Sequence, residues 1–199
     1  MLRSARKQLL KETIYTKAMQ LFVEKGFDRV TVDEITSACG VAKGTFYNYF
    51  PKKETVLLYM GESQMERLAD KLDELNRVPQ IQERIESLFA DLAQQAAAHP
   101  ELLRVSMSEM VRSSALLGEE MENIRRFEQA IIPLLDEAKA SGQMNKRHSS
   151  ELAAVTLVGL YFQTLMRFAS GYYADREQMQ TSLKAQLQLS WQGLGGGAR

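Results

Sequence analysis

Between Thr31 and Pro51 the chain reads TVDEITSACGVAKGTFYNYFP, and the punctuation of this stretch restricts the fold more than any other feature. Thr31-Val-Asp-Glu34 has the form of a capping box, in which the Thr hydroxyl and the Glu carboxylate satisfy backbone donors reciprocally, so a helix starts at Val32. It ends near Cys39, because Gly40 supplies the permissive backbone of a tight turn. Val41 is placed to plug the angle between this helix and the next, which runs from about Ala42 to Phe50. Pro51 stops it. Upstream, Leu10, Ile14, Ala18, Leu21 and Phe22 recur at three- and four-residue intervals on one helical stripe, and Gly26 follows as a left-handed cap.

The short helix after the turn is rich in aromatic residues. Residues four apart share a helix face, so Phe46 and Phe50 point one way with Ala42, while Lys43 with Tyr47 and Gly44 with Asn48 form other rows. A helix of about nine residues is not stable alone, and the two Phe rings supply the contact that locks it onto its neighbours. The opposite face offers Lys43, Gly44, Thr45, Tyr47, Asn48 and, at its edge, Tyr49. A cation, hydroxyls, an amide and a residue without a side chain suit a surface that reads a DNA groove. Thr31 at a helix N-terminus and Lys53 beside the next helix offer two phosphate contacts, and Arg3, Arg6, Lys7 and Lys11 form a basic arm. The plainer alternative is a core cluster whose Tyr hydroxyls reach water. It treats the turn glycine, the capping box, the short helix and the local basic charge as unrelated.

The bulk numbers agree with a helical protein: 45% of residues are hydrophobic, 25% are charged and only four are Pro. The net charge of zero hides an asymmetry, for residues 1–60 hold 10 Lys/Arg against 6 Asp/Glu and the remainder 15 against 19. The single Cys39 excludes an intrachain disulfide, and with no secretory segment the expected compartment is a reducing cytoplasm. The longest apolar run, LAAVTLVGLYF at 152–162, is shorter than the roughly 20 residues of a membrane span, so a buried helix and no membrane partner are expected. His99 and His148 lie far apart, and no HExxH, phosphate loop or nucleophile elbow occurs. No catalytic residue, metal or cofactor is therefore expected.

Further helices are predicted from Lys52 to Pro79, from Ile81 to Ala98 and from Pro100. Another spans Gly118–Ser141, with Pro133 expected to kink or split it. Two more cover 149–172 and 175–192, and GLGGGAR at 193–199 reads as a flexible tail. Ala153, Ala154, Gly159 and Ala169 allow close approach along one helix, and Leu183, Leu187, Leu189 and Trp191 line the other. Two such helices from each of two copies make a four-helix interface, or else they complete a single core.

The stretch TVDEITSACGVAKGTFYNYFPKKETVL, preceded by AMQLFVEKGFDRV, resembles the helix-turn-helix of the TetR family of bacterial transcriptional regulators over about residues 12–58. One departure is Ala42, where many members carry Ser. The resemblance implies an all-α chain of about nine helices. Residues 1–51 would form a three-helix helix-turn-helix DNA-binding domain and 52–192 a helical ligand-binding and dimerisation domain. It implies operator contacts by Thr31, Lys43, Gly44, Thr45, Tyr47, Asn48, Tyr49 and Lys53. It also implies a homodimer through the two C-terminal helices, repression at a palindromic operator in double-stranded DNA, and release by a small, largely apolar effector. The implied pocket lies between the fourth and eighth helices, with Met60, Phe89, Met107, Met110, Phe127, Phe162 and Met166 as candidate lining. Gln163 and Arg167 interrupt an apolar helix and stand as candidate ligand anchors; Arg167 is equally placed for an acidic partner or a dimer contact. A helical dimer carrying lipids or hydrophobic metabolites is the alternative.

Overall fold

A computed structural model describes residues 2–195, without the side chains of residues 2–4, 60 and 66. The described residues form nine α-helices and no strand: α1 Leu2–Lys25, α2 Val32–Cys39, α3 Lys43–Tyr47, α4 Tyr59–Leu75, α5 Ile81–Ala96, α6 Pro100–Arg112, α7 Ser114–Ala140, α8 Ser150–Ala169 and α9 Arg176–Leu194. The predicted all-α class is thus the observed one. The chain divides into two compact units, Met1–Met60 with Glu101–Glu119, and Gly61–Pro100 with Glu120–Arg199.

In the first unit the predicted stripe of α1 is buried at Ile14, Ala18 and Phe22, while Leu10 and Leu21 pack at its margin. Gly26 leaves the helix at φ 83°, a conformation that an L side chain resists. The 3₁₀ turn Phe27–Arg29 then sets the Phe27 ring 4.9 Å from that of Phe22. The capping box forms as predicted: Glu34 N–H donates to the Thr31 hydroxyl at 3.2 Å, and Thr31 N–H donates to Glu34 Oε2 at 2.9 Å. Gly40 takes the left-handed conformation at φ 65°, and Val41 N–H closes the end of α2 on Thr36 O at 3.0 Å.

Helix α3 has five residues, fewer than the predicted stretch from Ala42 to Phe50. Its first turn has no side-chain cap at Ala42, and the residue before a proline is excluded from helical backbone, so Phe50 cannot extend it. The following helix also starts later than Lys52. A 3₁₀ turn at Glu54–Leu58 buries Val56, Leu57 and Leu58 before α4 begins. Met110 and Leu116 complete this core.

In the second unit α8 packs against α9, and both pack against α5. The rings of Phe89, Phe127 and Tyr161 meet pairwise at 5.3–5.7 Å between centroids, with Phe162 5.1 Å from Tyr161. Helix α8 is long and apolar enough to cross a membrane by length and composition, and half of it is buried inside this unit. Helix α7 starts before Gly118 and continues through Pro133, which removes one backbone donor without splitting it. Ser149 and Asp175 cap α8 and α9, accepting from Leu152 and Gln178 N–H at 3.1 and 2.8 Å. The start of α5 is served from a distance, with Ile81 N–H donating to Gln143 Oε1 at 2.7 Å. Buried Arg84 ties the preceding loop to α7, donating to Asn76 O at 3.1 Å and to Glu137 at 2.9 Å. Helix α9 takes in Gly193 and Leu194 of the predicted tail, and residues 196–199 lie outside the described residues.

Candidate functional site

The face of α3 is built from beneath. Phe46 is fully buried and Phe50 nearly so, their rings 5.8 Å apart in the first unit's core, so the short helix is fixed by its inner side. This leaves Lys43, Gly44, Tyr47 and Asn48 exposed together, with Thr45 half-buried beside them. Tyr47 keeps 46% of its surface accessible although its ring abuts Phe46 edge-on at 5.5 Å. Beyond its own stretch of helix, no atom of the described residues lies within 4 Å of where a Cβ on Gly44 would stand, so internal packing does not demand glycine there. Lys43 Nζ lies 2.9 Å from Asp33 Oδ1, and that hydrogen bond, with the charge of Asp33, raises the Lys43 pKa above its ordinary value.

Three predicted contact residues are placed differently from the exposed set. The Thr31 hydroxyl is occupied in the capping box. Tyr49 is half-buried and packs against the core. Lys53 is turned inward, its Nζ donating to Phe27 O at 2.8 Å and Val30 O at 3.0 Å and standing 4.2 Å from the Phe27 ring centroid. Sequence reasoning assigned Lys53 to phosphate because it stands beside a helix start, where backbone donors lack partners. Its partners lie 23 and 26 residues away and leave no local signal. The basic arm is the opening of α1: Arg6 and Lys7 are exposed, and Lys11 Nζ sits 4.7 Å from the Tyr59 ring centroid. The Arg3 side chain lies outside the described residues.

Residues 14–60 match the family of bacterial regulatory proteins named after TetR. Over 58 residues the chain is 45% identical to YerO of Bacillus subtilis, an uncharacterised HTH-type transcriptional regulator, a match covering 27% of this chain and 20% of that protein. The chain thus spans about a fifth of that curated relative's length. Whole-chain likeness is found among solved structures. FadR of Thermus thermophilus, a TetR-family transcriptional repressor solved with lauroyl-CoA, superposes with a TM-score of 0.74 at 28% identity, covering 95% of this chain and 97% of that one. FadR of Bacillus halodurans, a fatty acid degradation regulator, gives 0.73 at 26% identity, covering 94% and 99%. The likeness to the TetR family lies in residues 14–60, and the fold of the whole chain is that of these regulators.

The second unit holds a narrow, partly open cavity, where Phe127 and Phe162 meet Gln64, Leu68, Glu120 and Asn123. Phe89 stacks behind Phe127 and does not line the space. The other predicted lining residues lie elsewhere. Met110 is buried in the first unit's core, and Met107 belongs to the same unit. Gln163, Met166 and Arg167 face outward from α8, with Arg167 5.0 Å from the Tyr172 ring centroid. An apolar helix interrupted by polar residues was read as a pocket wall, whereas the interruptions mark its exposed side. The Met60 side chain lies outside the described residues.

Sequence reasoning missed the cavity's polar members. Glu120 is 6% exposed, and burial pushes its carboxyl up to about 7 against a bond from Asn123 that lowers it. Tyr161, fully buried, donates to Gln64 Oε1 at 3.0 Å, and burial raises its hydroxyl pKa. No group of three His, Cys, Asp or Glu side chains among the described residues is arranged to hold a metal.

Proposed function

We propose that this chain is a ligand-responsive DNA-binding transcriptional regulator, a repressor acting in the cytoplasm as a homodimer on a palindromic operator. The observation carrying this reading is the exposure of Lys43, Gly44, Tyr47 and Asn48 above the buried Phe46 and Phe50. Lys43 and Gly44, at the start of α3, are the residues that enter a major groove first, and Tyr47 and Asn48 supply hydrogen-bonding groups one turn on. Thr45, Thr31 and Tyr49 are proposed to flank the contact, and Lys53 to hold the turn beneath it. Domain roles follow the same division, with residues 1–51 reading DNA and 52–192 binding the effector and the second copy.

Exposed apolar residues support the dimer. Leu152, Val155, Gly159 and Met166 lie along one exposed stripe of α8, and Leu189 on α9 is 71% exposed. Such a stripe on a chain of this family is suited to a symmetric partner. The effector is proposed to be small and largely apolar and to enter the cavity at Phe127 and Phe162. The lauroyl chain bound by the Thermus FadR supports an apolar ligand. Release follows only if the effector binds more tightly to the form with the wrong head spacing.

The test is selection of bound sites from random duplex DNA with the full chain. A palindrome with half-site centres roughly 34–36 Å apart, and affinity falling linearly with salt on logarithmic axes, is the expected result. Enrichment of no sequence, or binding indifferent to salt, overturns the reading.

A further inference from the structure

Among the described residues the wall of the second unit's cavity has one formally charged side chain and no cation to neutralise it. Glu120 is 6% exposed, yet no Lys, Arg or His among the described residues lines the space. Among the described residues its one hydrogen-bond donor is Asn123 Nδ2, at a long 3.3 Å. The carboxyl is nevertheless accommodated by the fold. A Cβ on Gly61 of α4 would stand 3.0 Å from Glu120 Oε2 and 3.3 Å from Oε1, so glycine leaves the groove into which the carboxyl fits. Gln64, one turn along α4, is held by the Tyr161 hydroxyl at the same cavity. The remaining wall is apolar: Met65, Leu68, Leu92, Phe127 and Phe162.

A buried carboxyl without a cation is unfavourable unless it is protonated or a partner arrives. An anionic ligand head would meet repulsion here with no basic side chain to offset it, and an aliphatic one would leave the carboxyl unanswered. A ligand bringing its own positive charge satisfies both the apolar walls and the carboxyl. We propose that this cavity binds a small lipophilic amine in its ammonium form, with the Glu120 carboxylate as counter-charge and Phe127 and Phe162 around its apolar body. In the empty chain the walls leave room for little more than a water molecule, so the amine's short apolar body enters by parting the side chains of Phe127 and Phe162. The upward pull of burial on Glu120 accords with a group lacking its partner in the empty protein. This inference deepens the proposed effector site and rests on that assignment.

The experiment is calorimetric titration of the full chain, free of DNA, with octylammonium chloride, octan-1-ol, sodium octanoate and lauroyl-CoA. Octylammonium is expected to bind at least about tenfold more tightly than octanol or octanoate, as a charge-assisted hydrogen bond replaces a neutral one. Glu120→Gln keeps the shape and removes the charge, and is expected to erase that preference. Gly61→Ala displaces the carboxyl end of a flexible side chain and is expected to do the same with the fold intact by circular dichroism. Equal binding of octylammonium and octanol, a preference for octanoate or lauroyl-CoA, no binding of octylammonium, or a preference surviving in Glu120→Gln each overturns the proposal. Operator binding is measured separately, so its failure sinks the regulator reading and leaves this result standing on its own data.

Discussion

Substituting Glu120 by Gln tests the cavity's electrostatics through stability alone. In the folded chain burial pushes the Glu120 carboxyl from its ordinary 4.5 up to about 7. Between those values the folded chain holds a proton that the unfolded chain has released, so folding takes up a proton and stability falls as pH rises. The favourable contribution is complete below about pH 4.5 and is lost as pH passes through about 7. At about 1.4 kcal/mol per pH unit of separation, the loss across the window is roughly 3 kcal/mol. The one titratable group facing this carboxyl from α8 is Tyr161, whose pKa is itself raised, so it stays neutral throughout. Urea unfolding of both forms between about pH 4.5 and pH 8 measures the effect, and taking their difference cancels every other titrating group. The wild-type chain is expected to lose roughly 3 kcal/mol relative to Glu120→Gln over that range. Parallel pH profiles for the two proteins would refute the assignment of a buried, unpaired carboxyl.

Gly44→Ala meets no internal atom and should raise stability by roughly 0.5–1 kcal/mol, while a methyl on the exposed face weakens operator binding; unchanged affinity in a fluorescence anisotropy titration contradicts close approach at Gly44. Lys53→Met keeps the alkyl stem near Phe27 and removes both donors to Phe27 O and Val30 O, so thermal melting should report a loss of roughly 1–3 kcal/mol; an unaltered melting temperature shows that the clamp is dispensable. Leu152→Glu alters a residue 67% exposed in the single chain and should leave the fold intact while converting a dimer to a monomer in analytical ultracentrifugation. A persistent dimer places the interface elsewhere.

What could be read from the sequence was what the chain settles locally. Thr31 and Glu34 cap a helix three residues apart, and Gly40 answers a turn at its own position, so the capping box and left-handed cap were predictable from neighbours alone. The four-residue spacing of Phe46 and Phe50 likewise fixed which side of α3 is buried. Partners distant along the chain were invisible. Lys53 was assigned to DNA because carbonyls at Phe27 and Val30 leave no mark near it, and Gln143 serves the start of α5 from 62 residues away. Glu120, lying in the run GEEMEN, has the composition of a solvated helix face, and only the close passage of Gly61 reveals its burial. Methionine counts misled for a related reason. The same flexible side chain fills a core at Met110 and lies half exposed at Met166, and composition does not separate the two.

If α3 reads DNA as proposed, the pairing of Lys43 with Asp33 bears on how indiscriminately its exposed face can adhere to nucleic acid. A lysine already neutralised by a carboxylate 2.9 Å away gives little to a passing polyanion, because any phosphate that captures it strands Asp33 beside like charge. Random duplex therefore finds the tip of α3 nearly uncharged, and a sequence that supplies a base-edge donor to the freed carboxylate regains what the exchange gives up. On the proposed reading, discrimination at this position would come from an acid that turns away sequences unable to satisfy it.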